Sequence, residues 1–378
     1  MPDDDPQATL AIKPVEPPRQ FDDPQLGLAL TEVDRLIRAN EARNVFGVDG
    51  SGLAAAVVDT GINARHVDFA GRLLAQANFT DDNGGDPDDA ADGNGHGTNV
   101  GGIVVADGDH RGVAPGAGIV ALKVLGDNGS GSFAAVADAL DWVLDQGEAH
   151  GVTAVCMSLS AGDNRPSDAG LGQHAIAQRI AALRARRIPV VIAAGNDYFT
   201  HGSRQGMAFP AILRQAVSVG AVFDEFEGPF NYSSGARAFS SGPDRLTPFS
   251  QRLHETVDSI CHTDVFAPGA PVTSSGIHGP RGESVQQGTS QAAPVTVGVL
   301  LLMQELWQRL TGELPEVDEL VELLRESAVT IHDGDDEADN VQHTDLDFPR
   351  IDCFAALDAI GRRLQRRLLE TGEPLRTG

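Results

Sequence analysis

Three side chains of complementary chemistry follow one another along the chain as carboxylate, imidazole and hydroxyl. The apolar run 54–58 ends in Asp59, His96 stands between two glycines, and Ser290 precedes an apolar helical stretch. A carboxylate that orients an imidazole, which in turn takes a hydroxyl proton, produces a nucleophile for a carbonyl carbon. Each residue alone has an ordinary alternative: a turn aspartate, an exposed loop histidine or a helix N-cap serine. Their combination and chain order favour acyl transfer.

A fourth polar side chain, Asn196, follows the apolar run 190–194. Its amide suits the stabilisation of an oxyanion, although an asparagine in a strand-end turn is a common alternative. Ser290 is expected near a helix N-terminus, where free N–H groups and the helix dipole favour negative charge. Pro294 is expected in the first turn of that helix, where its missing N–H leaves no hydrogen bond unmade.

The elements that must position these residues alternate between short apolar runs and helical stretches. Strands are predicted at 53–58, 119–125, 154–159, 190–194 and 216–222, and helices at 26–43, 133–146, 171–187, 295–310, 317–327 and 352–369. This alternation favours an α/β fold with a parallel sheet and helices on both faces. In such sheets, functional sites form at the carboxyl ends of the strands.

The domain limits follow from composition. Residues 1–24 are rich in proline and aspartate and are predicted to be a flexible tail, while 367–378 form a C-terminal tail. No internal repeat or linker interrupts the chain between them, so 25–366 are expected to form one domain.

Composition excludes several classes of partner. The formal net charge is −26, which argues against nucleic acid and anionic membranes because phosphate binding needs a basic face. Three distant cysteines give no disulfide framework, and no apolar run is long enough to span a bilayer. The first residues have neither a basic nor an apolar signal region, which indicates a cytoplasmic protein as written, or a secreted one if a leader is missing from this sequence.

Four motifs in this order resemble the signatures of the subtilisin-like (subtilase, peptidase S8) serine endopeptidases. They are Asp59-Thr60-Gly61, Gly95-His96-Gly97-Thr98, Ala194-Gly195-Asn196 and Gly288-Thr289-Ser290-x-Ala292-x-Pro294, and the resemblance spans about 45–330. It implies a three-layer αβα fold with a mostly parallel twisted sheet of about seven strands. It also implies a serine-type endopeptidase in which Ser290 is the nucleophile, His96 the general base, Asp59 the orienting acid and Asn196 an oxyanion donor.

The resemblance further implies how a substrate binds. Two segments, 129–131 and 158–160, are expected to pair with an extended protein or peptide. Phe133, Val136 and Leu159 are expected to line an apolar pocket, with core packing as the alternative. The implied substrate-binding residues are Gly129, Gly131, Phe133, Val136, Ser158, Leu159, Ser160, Ala193, Ala194 and Gly195.

The chain departs from the family pattern in several places. Gln291 and Asn99 replace a methionine and a histidine, and glutamine cannot form a sulfoxide. The loop 106–115 is shorter than the calcium loop of many secreted relatives, so that site is expected to be missing. No cofactor is required. Calcium remains an option at the acidic loops 81–92 and 333–339, with plain solvated loops as the alternative.

The upstream segment also differs, because fewer than 50 residues precede the core. The hypothesis is that the 26–43 helix and its tail shield the cleft until the chain cleaves itself there. A second hypothesis for the whole protein is a catalytically silent subtilase fold that binds peptides or partner proteins. A cysteine peptidase and a metallo-hydrolase are disfavoured, since no cysteine lies in a nucleophile-like turn and no H-E-x-x-H occurs.

Overall fold

The computed structural model describes residues 9–11, 18–22 and 30–371. The strands are β1 Thr9–Ala11, β2 Arg19–Phe21, β3 Ala54–Asp59, β4 Leu73–Asn78, β5 Gly118–Lys123, β6 Ser130–Ser132, β7 Val152–Met157, β8 Val190–Ala193, β9 Val217–Phe223, β10 Phe230–Asn231, β11 Arg237–Ser240, β12 Val265–Ala270, β13 Val272–Ser275, β14 Glu283–Gln286, β15 Val329–His332, β16 Ala338–Asp339 and β17 Asp347–Arg350. The α-helices are α1 Thr31–Ile37, α2 Ala39–Phe46, α3 His96–Val105, α4 Phe133–Gln146, α5 Ala175–Ala185, α6 Thr289–Thr311, α7 Val317–Glu326 and α8 Cys353–Thr371.

Nine strands form the main sheet in the order β15-β17-β12-β9-β8-β7-β3-β5-β4. Neighbouring strands are parallel except for β15 and β17, which pair antiparallel at one edge. The αβα class is therefore confirmed, with two strands more than the expected seven. The five strands predicted from alternation correspond to β3, β5, β7, β8 and β9.

The sheet separates two apolar cores. Ala55 and Val57 of β3 belong to the core on the side of α3 and α6, whereas Ala54 and Val58 belong to the core on the side of α4 and α5. Because both faces are covered, successive residues of each central strand are buried, and the strand appears in sequence as an unbroken apolar run. Strands β3 and β8 both run parallel to β7, which lies between them. The turns at the carboxyl ends of β3 and β8 therefore lie at the same edge of the sheet.

Helix α6 runs through the middle of the first core. Eighteen of its 23 residues are buried, from Thr289 to Trp307. Pro294 is its sixth residue, so the expectation of a first-turn proline is wrong by one turn. A proline there cannot donate to the carbonyl of Ser290, and the hydroxyl of Ser158 donates to that carbonyl instead, at 2.7 Å. The proline is tolerated because a neighbouring strand end replaces its hydrogen bond.

The predicted 26–43 helix is two helices. Arg38 has a left-handed φ of 57° between α1 and α2, and its guanidinium forms a bidentate pair with Asp352 at 2.8 Å. Leu26 lies outside the described residues. Strands β1 and β2 fall inside the segment predicted as a tail, and α8 continues to residue 371. None of the described helices is both long and apolar enough to cross a membrane.

Candidate active site

Asp59 and His96 meet at the carboxyl end of β3. Asp59 is the last residue of that strand and His96 the first of α3, and Nδ1 of the histidine donates to Oδ1 of the aspartate at 2.7 Å. Both side chains are almost completely buried. A Cβ on Gly97 would lie 2.3 Å from the Gly61 carbonyl oxygen, so only glycine lets α3 begin this close to the strand.

The loop before His96 is organised by Asp92, which the sequence analysis assigned only to an acidic loop. One carboxylate oxygen accepts hydrogen bonds from the backbone of Asn94 and Gly95 and from the Thr60 hydroxyl. The other accepts from the backbone and hydroxyl of Thr98. Asp92 therefore ties the turn after Asp59 to the first turn of α3. An aspartate four residues before the motif histidine was the available signal.

Lys123 is a second residue that the sequence analysis did not assign. It ends β5, directly beside Asp59 in the strand register, and is fully buried. Its ammonium group donates to the Thr60 carbonyl and to Asp127, each at 2.7 Å. A buried lysine needs such partners. A lysine closing an otherwise apolar strand was the sequence signal.

Ser290 is the second residue of α6 and 6% exposed. Its hydroxyl donates to the Ser158 carbonyl at 3.3 Å, and the Ser158 hydroxyl donates back to the Ser290 carbonyl. For acyl transfer, the hydroxyl must instead donate to an imidazole. Hydrogen bonds of this kind are often long or misaligned in proteins without substrate.

Asn196 lies beside the start of α6. Its Oδ1 accepts hydrogen bonds from the backbone N–H and the hydroxyl of Thr289, both at 2.9 Å. Because an N–H can only donate, these bonds fix the orientation of the amide and turn its Nδ2 the other way. A Cβ on Gly288 would be 3.1 Å from that Nδ2, so the glycine keeps the space in front of the donor clear.

The two substituted positions, Asn99 and Gln291, contact each other. Nε2 of Gln291 donates to Oδ1 of Asn99 at 3.3 Å and to Oε1 of Gln286 at 3.4 Å. Gln286 in turn donates to the carbonyl of Gly95, the residue before His96. This amide chain joins the first turns of α3 and α6, and it brings the elements that carry His96 and Ser290 side by side.

The expected pocket residues are placed unequally. Phe133 is 8% exposed and packs edge-on against Phe209, with ring centroids 5.2 Å apart. Val136 is fully buried and Leu159 is 2% exposed, and all three belong to the core between the sheet and α4. Their burial fits the core-packing alternative as well as a pocket, so their role stays a prediction.

The remaining expected contacts lie near the strand ends. Ala193 ends β8, and Ala194 and Gly195 form the turn that leads to Asn196. Gly195 N–H donates to the Thr289 hydroxyl at 3.2 Å. Ser158 and Ser160 follow β7 and are buried. Gly129 precedes β6, which contains Gly131.

The expected substrate strand is paired in this structure. Antiparallel to β6 runs β1, with Thr9 opposite Ser132 and Ala11 opposite Ser130. The end of α2 lies elsewhere: Arg309 near the end of α6 donates to the carbonyl of Gly47, nineteen residues or about 28 Å along that helix from Ser290. Shielding of the cleft by the 26–43 region stays a prediction. Among the described residues before α1, residues 9–11 lie on the predicted substrate strand.

The thiols offer no alternative nucleophile. Cys156, Cys261 and Cys353 are buried and unpaired. Burial raises the pKa of all three, to about 11 for Cys261 and further for the others. A thiol that resists deprotonation is a poor nucleophile.

The two acidic loops differ in their capacity for a metal. In the loop 81–92, Asp92 caps the turns described above, and Asp86 and Asp89 each accept a backbone N–H two residues on. In the loop 333–339, the ligand atoms of Asp335, Asp336 and Glu337 lie within 4.8 Å of one another. Asp333, in contrast, is fully buried and paired with Arg252 at 2.9 Å.

Comparisons with known proteins give the family. The model of the subtilase family, Peptidase S8, matches residues 50–347. The major intracellular serine protease of Bacillus subtilis is 31% identical over 287 residues, which cover 74% of this chain and 77% of the relative. The intracellular serine protease of Paenibacillus polymyxa is 29% identical, covering 73% and 74%. The alkaline serine exoprotease A of Vibrio alginolyticus is 32% identical, covering 67% of this chain but 39% of that protein.

Proposed function

Because the chain belongs to the subtilase family of serine endopeptidases, we propose that Asp59, His96 and Ser290 form its catalytic triad. The chain is a serine-type endopeptidase whose substrates are proteins or peptides. The observation that supports the assignment best is the buried 2.7 Å hydrogen bond from His96 to Asp59, at the head of a helix that packs on the helix of Ser290.

In this mechanism, Ser290 Oγ attacks the scissile carbonyl carbon while Nε2 of His96 takes its proton. Asp59 holds the Nδ1–H tautomer and stabilises the imidazolium that forms. The imidazolium then protonates the leaving amine as the carbon–nitrogen bond breaks. A water molecule, deprotonated by the same imidazole, hydrolyses the acyl-enzyme.

The oxyanion is stabilised by Nδ2 of Asn196 and the backbone N–H of Ser290. The N-terminus of α6 adds a favourable dipole, because its first N–H groups have no partner within the helix. Thr289 supports this donor by holding the amide oxygen of Asn196 with two hydrogen bonds. Removal of one such donor lowers kcat about 10²–10³-fold in enzymes that rely on it.

Substrates bind to β6 as an added strand. The pairing of β1 with β6 supports this mode, because three residues of extended backbone already use the hydrogen-bonding edge. The same pairing supports occlusion of the site by residues 9–11 and self-cleavage in the upstream segment.

Deletion of residues 1–17 should lower KM for a peptide substrate, and a synthetic peptide of residues 6–14 should inhibit the truncated enzyme. Full activity of a chain with intact Met1, at the same KM, would contradict the occlusion.

Hydrolysis by this triad needs no cofactor. Of the two acidic loops, 333–339 is the better candidate for Ca²⁺, because the ligand atoms of Asp335, Asp336 and Glu337 lie within 4.8 Å of one another. Calcium added to chelator-treated protein should raise the melting temperature, and Asp335→Asn should abolish the rise. A chain that melts at one temperature with and without Ca²⁺ would remove the site.

The cytoplasm is the proposed compartment, because two relatives that align over 77% and 74% of their own length are named as intracellular proteases. Fractionation of the source cells with an antibody against this chain tests the assignment. Recovery from the culture medium would favour secretion.

The alternative, a silent fold that only binds peptides, makes a different prediction in one assay. Purified protein should cleave denatured casein, and Ser290→Ala should stop the cleavage while leaving the circular dichroism spectrum unchanged. Mapping the new N-termini in a denatured proteome then separates a degradative enzyme, with scattered cuts, from a processing enzyme with one dominant motif. A folded wild-type chain without cleavage would favour the binding function.

A further inference from the structure

A second buried cluster of titratable side chains lies outside the triad. His66 and Asp68 stand at the short 3-10 helix 67–69, and His110 stands in the loop 106–112 that wraps over it. All three side chains are at most 2% exposed. One nitrogen from each imidazole and one carboxylate oxygen lie within 4.8 Å of one another.

The central atom of the cluster is Oδ2 of Asp68. Nδ1 of His110 lies 2.7 Å from it and Nδ1 of His66 lies 3.2 Å from it. The Ser275 hydroxyl also donates to it, at 2.6 Å. Both imidazoles therefore direct the same ring nitrogen toward one carboxylate oxygen.

Each imidazole also forms a hydrogen bond through its other ring nitrogen. Nε2 of His66 donates to the Gly282 carbonyl at 2.7 Å, and Nε2 of His110 donates to Glu283 at 3.3 Å. Metal-binding histidines are usually fixed in this way, by a carbonyl or a carboxylate on the nitrogen that does not bind the ion.

One contact within the cluster is unfavourable as it stands. A carbonyl can only accept, so His66 carries its proton on Nε2 and a lone pair on Nδ1, where it accepts the Asp68 N–H. That lone pair lies 3.2 Å from Oδ2 of Asp68, a second acceptor. A cation between the two atoms would turn this repulsion into two bonds.

We propose that His66, Asp68 and His110 form a structural binding site for a transition-metal dication of the Zn²⁺ type. Two imidazole nitrogens and a carboxylate oxygen suit Zn²⁺, whereas Ca²⁺ requires oxygen ligands. On binding, the metal replaces the proton on Nδ1 of His110, which leaves to solvent. It also replaces the Asp68 N–H as the partner of the Nδ1 lone pair of His66, and no electron is transferred.

The position of the site gives it a structural role. The metal would join the 3-10 helix 67–69 to the loop 106–112, and through Glu283 to the hairpin of β13 and β14. The same loop is tied to this hairpin by a bidentate pair between Asp109 and Arg281, at 2.8 and 2.9 Å. Strand β14 ends at Gln286, which belongs to the amide chain that joins α3 and α6. The site would therefore stabilise the elements that carry the active centre, without contacting a substrate.

Direct metal titration tests the proposal. The full chain with Ser290→Ala, which prevents self-digestion, is stripped with a chelator and given Co²⁺ or Zn²⁺, both when folded and during refolding because the cluster is buried. One ion should bind per chain, Co²⁺ should show the visible ligand-field absorption of nitrogen and oxygen coordination, and Zn²⁺ but not excess Ca²⁺ should displace it. Absence of saturable binding under both conditions overturns the site.

Variants locate the ion. His110→Gln should abolish binding, and Glu283→Gln, which removes only the support of an imidazole, should weaken it about 10–100-fold. His343→Gln is the matched control, since His343 belongs to the other histidine-containing cluster among the described residues, with Asp333 and Glu337. If His110→Gln does not fold, the metal affinity of Glu283→Gln decides the test. Binding that survives both cluster variants, or that disappears only in His343→Gln, contradicts the proposal.

Discussion

Two buried histidine–aspartate pairs in this protein have the same core geometry and different surroundings. His96 with Asp59, and His110 with Asp68, both join Nδ1 to a carboxylate oxygen at 2.7 Å. At His110 the second ring nitrogen reaches Glu283, and both oxygens of Asp68 are hydrogen-bonded. At the first pair, Oδ2 of Asp59 is buried without a hydrogen-bond partner.

Without a bound metal, the difference separates the pair proposed to move a proton, at His96, from a pair that holds its proton, at His110. Burial disfavours an imidazolium, but the hydrogen bonds and charges of Asp68 and Glu283 outweigh it and raise the pKa of His110. A histidine with acceptors on both nitrogens has no position for a nucleophile. The pair of His96 and Asp59, called the open pair below, stands beside the helix of Ser290. The pair of His110 and Asp68, called the closed pair, has the same histidine–aspartate distance, so this distance alone does not identify the proposed catalytic pair.

The largest expected effect is on kcat, and it should appear when Asp59, but not Asp68, is replaced by asparagine. Asp59→Asn should lower kcat about 10⁴-fold, because an amide favours the wrong tautomer of His96. Asp68→Asn should instead lower the free energy of unfolding. Steady-state kinetics and urea unfolding of both variants distinguish the two outcomes. A collapse of kcat in folded Asp68→Asn equal to that of Asp59→Asn would erase the contrast.

The closed pair should matter most for stability. His110→Gln leaves two buried carboxylates, Asp68 and Glu283, without their cation, and breaking such a buried pair typically costs about 3–5 kcal/mol. Urea denaturation at neutral pH measures the loss. His332→Gln serves as control, because its two aspartate partners are exposed and solvent screens such pairs. Equal losses in the two variants would contradict this interpretation.

A smaller effect is expected from the loop that positions the open pair. Asp92→Asn leaves one acceptor oxygen in place of two, so either Asn94 and Gly95 or Thr98 lose their acceptor. His96 then shifts relative to Ser290, and displacements of about 1 Å can lower rates about 10²-fold. The decrease should appear in kcat more than in KM. Asp89→Asn is the control from the same loop, since its carboxylate accepts a hydrogen bond from the Ala91 N–H and none from the turn before His96. A kcat that falls equally in both variants would remove the special role of Asp92.

The smallest effect concerns Gln291, which follows the proposed nucleophile Ser290. Wild-type activity should survive mild peroxide, since glutamine forms no sulfoxide, whereas Gln291→Met should become peroxide-sensitive and lose the contact with Asn99. Residual activity after timed exposure is the measurement. Rapid inactivation of the wild type, with oxidation mapped to a cysteine, would place the sensitivity elsewhere.

The central strands and α4 could be predicted because burial on both faces leaves a continuous apolar run, and helix periodicity marks the rest. Strand β4 was missed because it contains Gln76 and Asn78, and β12 because Pro268 and Gly269 interrupt its apolar pattern. The edge strands β15 and β17 are short and polar, and they depend on each other for pairing. Local sequence gives no sign of such long-range pairing.

The same limit applies to the site. Asp59, His96, Asn196 and Ser290 could be proposed because glycine turns and chain order mark them. The bonds of Lys123 to the Thr60 carbonyl and of Asn99 to Gln291 join residues that are 63 and 192 positions apart. Contacts over such separations follow from the folded sheet rather than from any local pattern.

The central claim is that only the His96–Asp59 pair activates a serine, and that this serine is Ser290. A fluorophosphonate probe reacts with activated serine hydroxyls, and mass spectrometry of the digested adduct identifies the modified residue. The account predicts one adduct on the peptide that contains Ser290, its loss in His96→Ala and in Ser290→Ala, and its persistence in folded Glu283→Gln. An adduct on another serine, or labelling of folded His96→Ala at the wild-type rate, would contradict it.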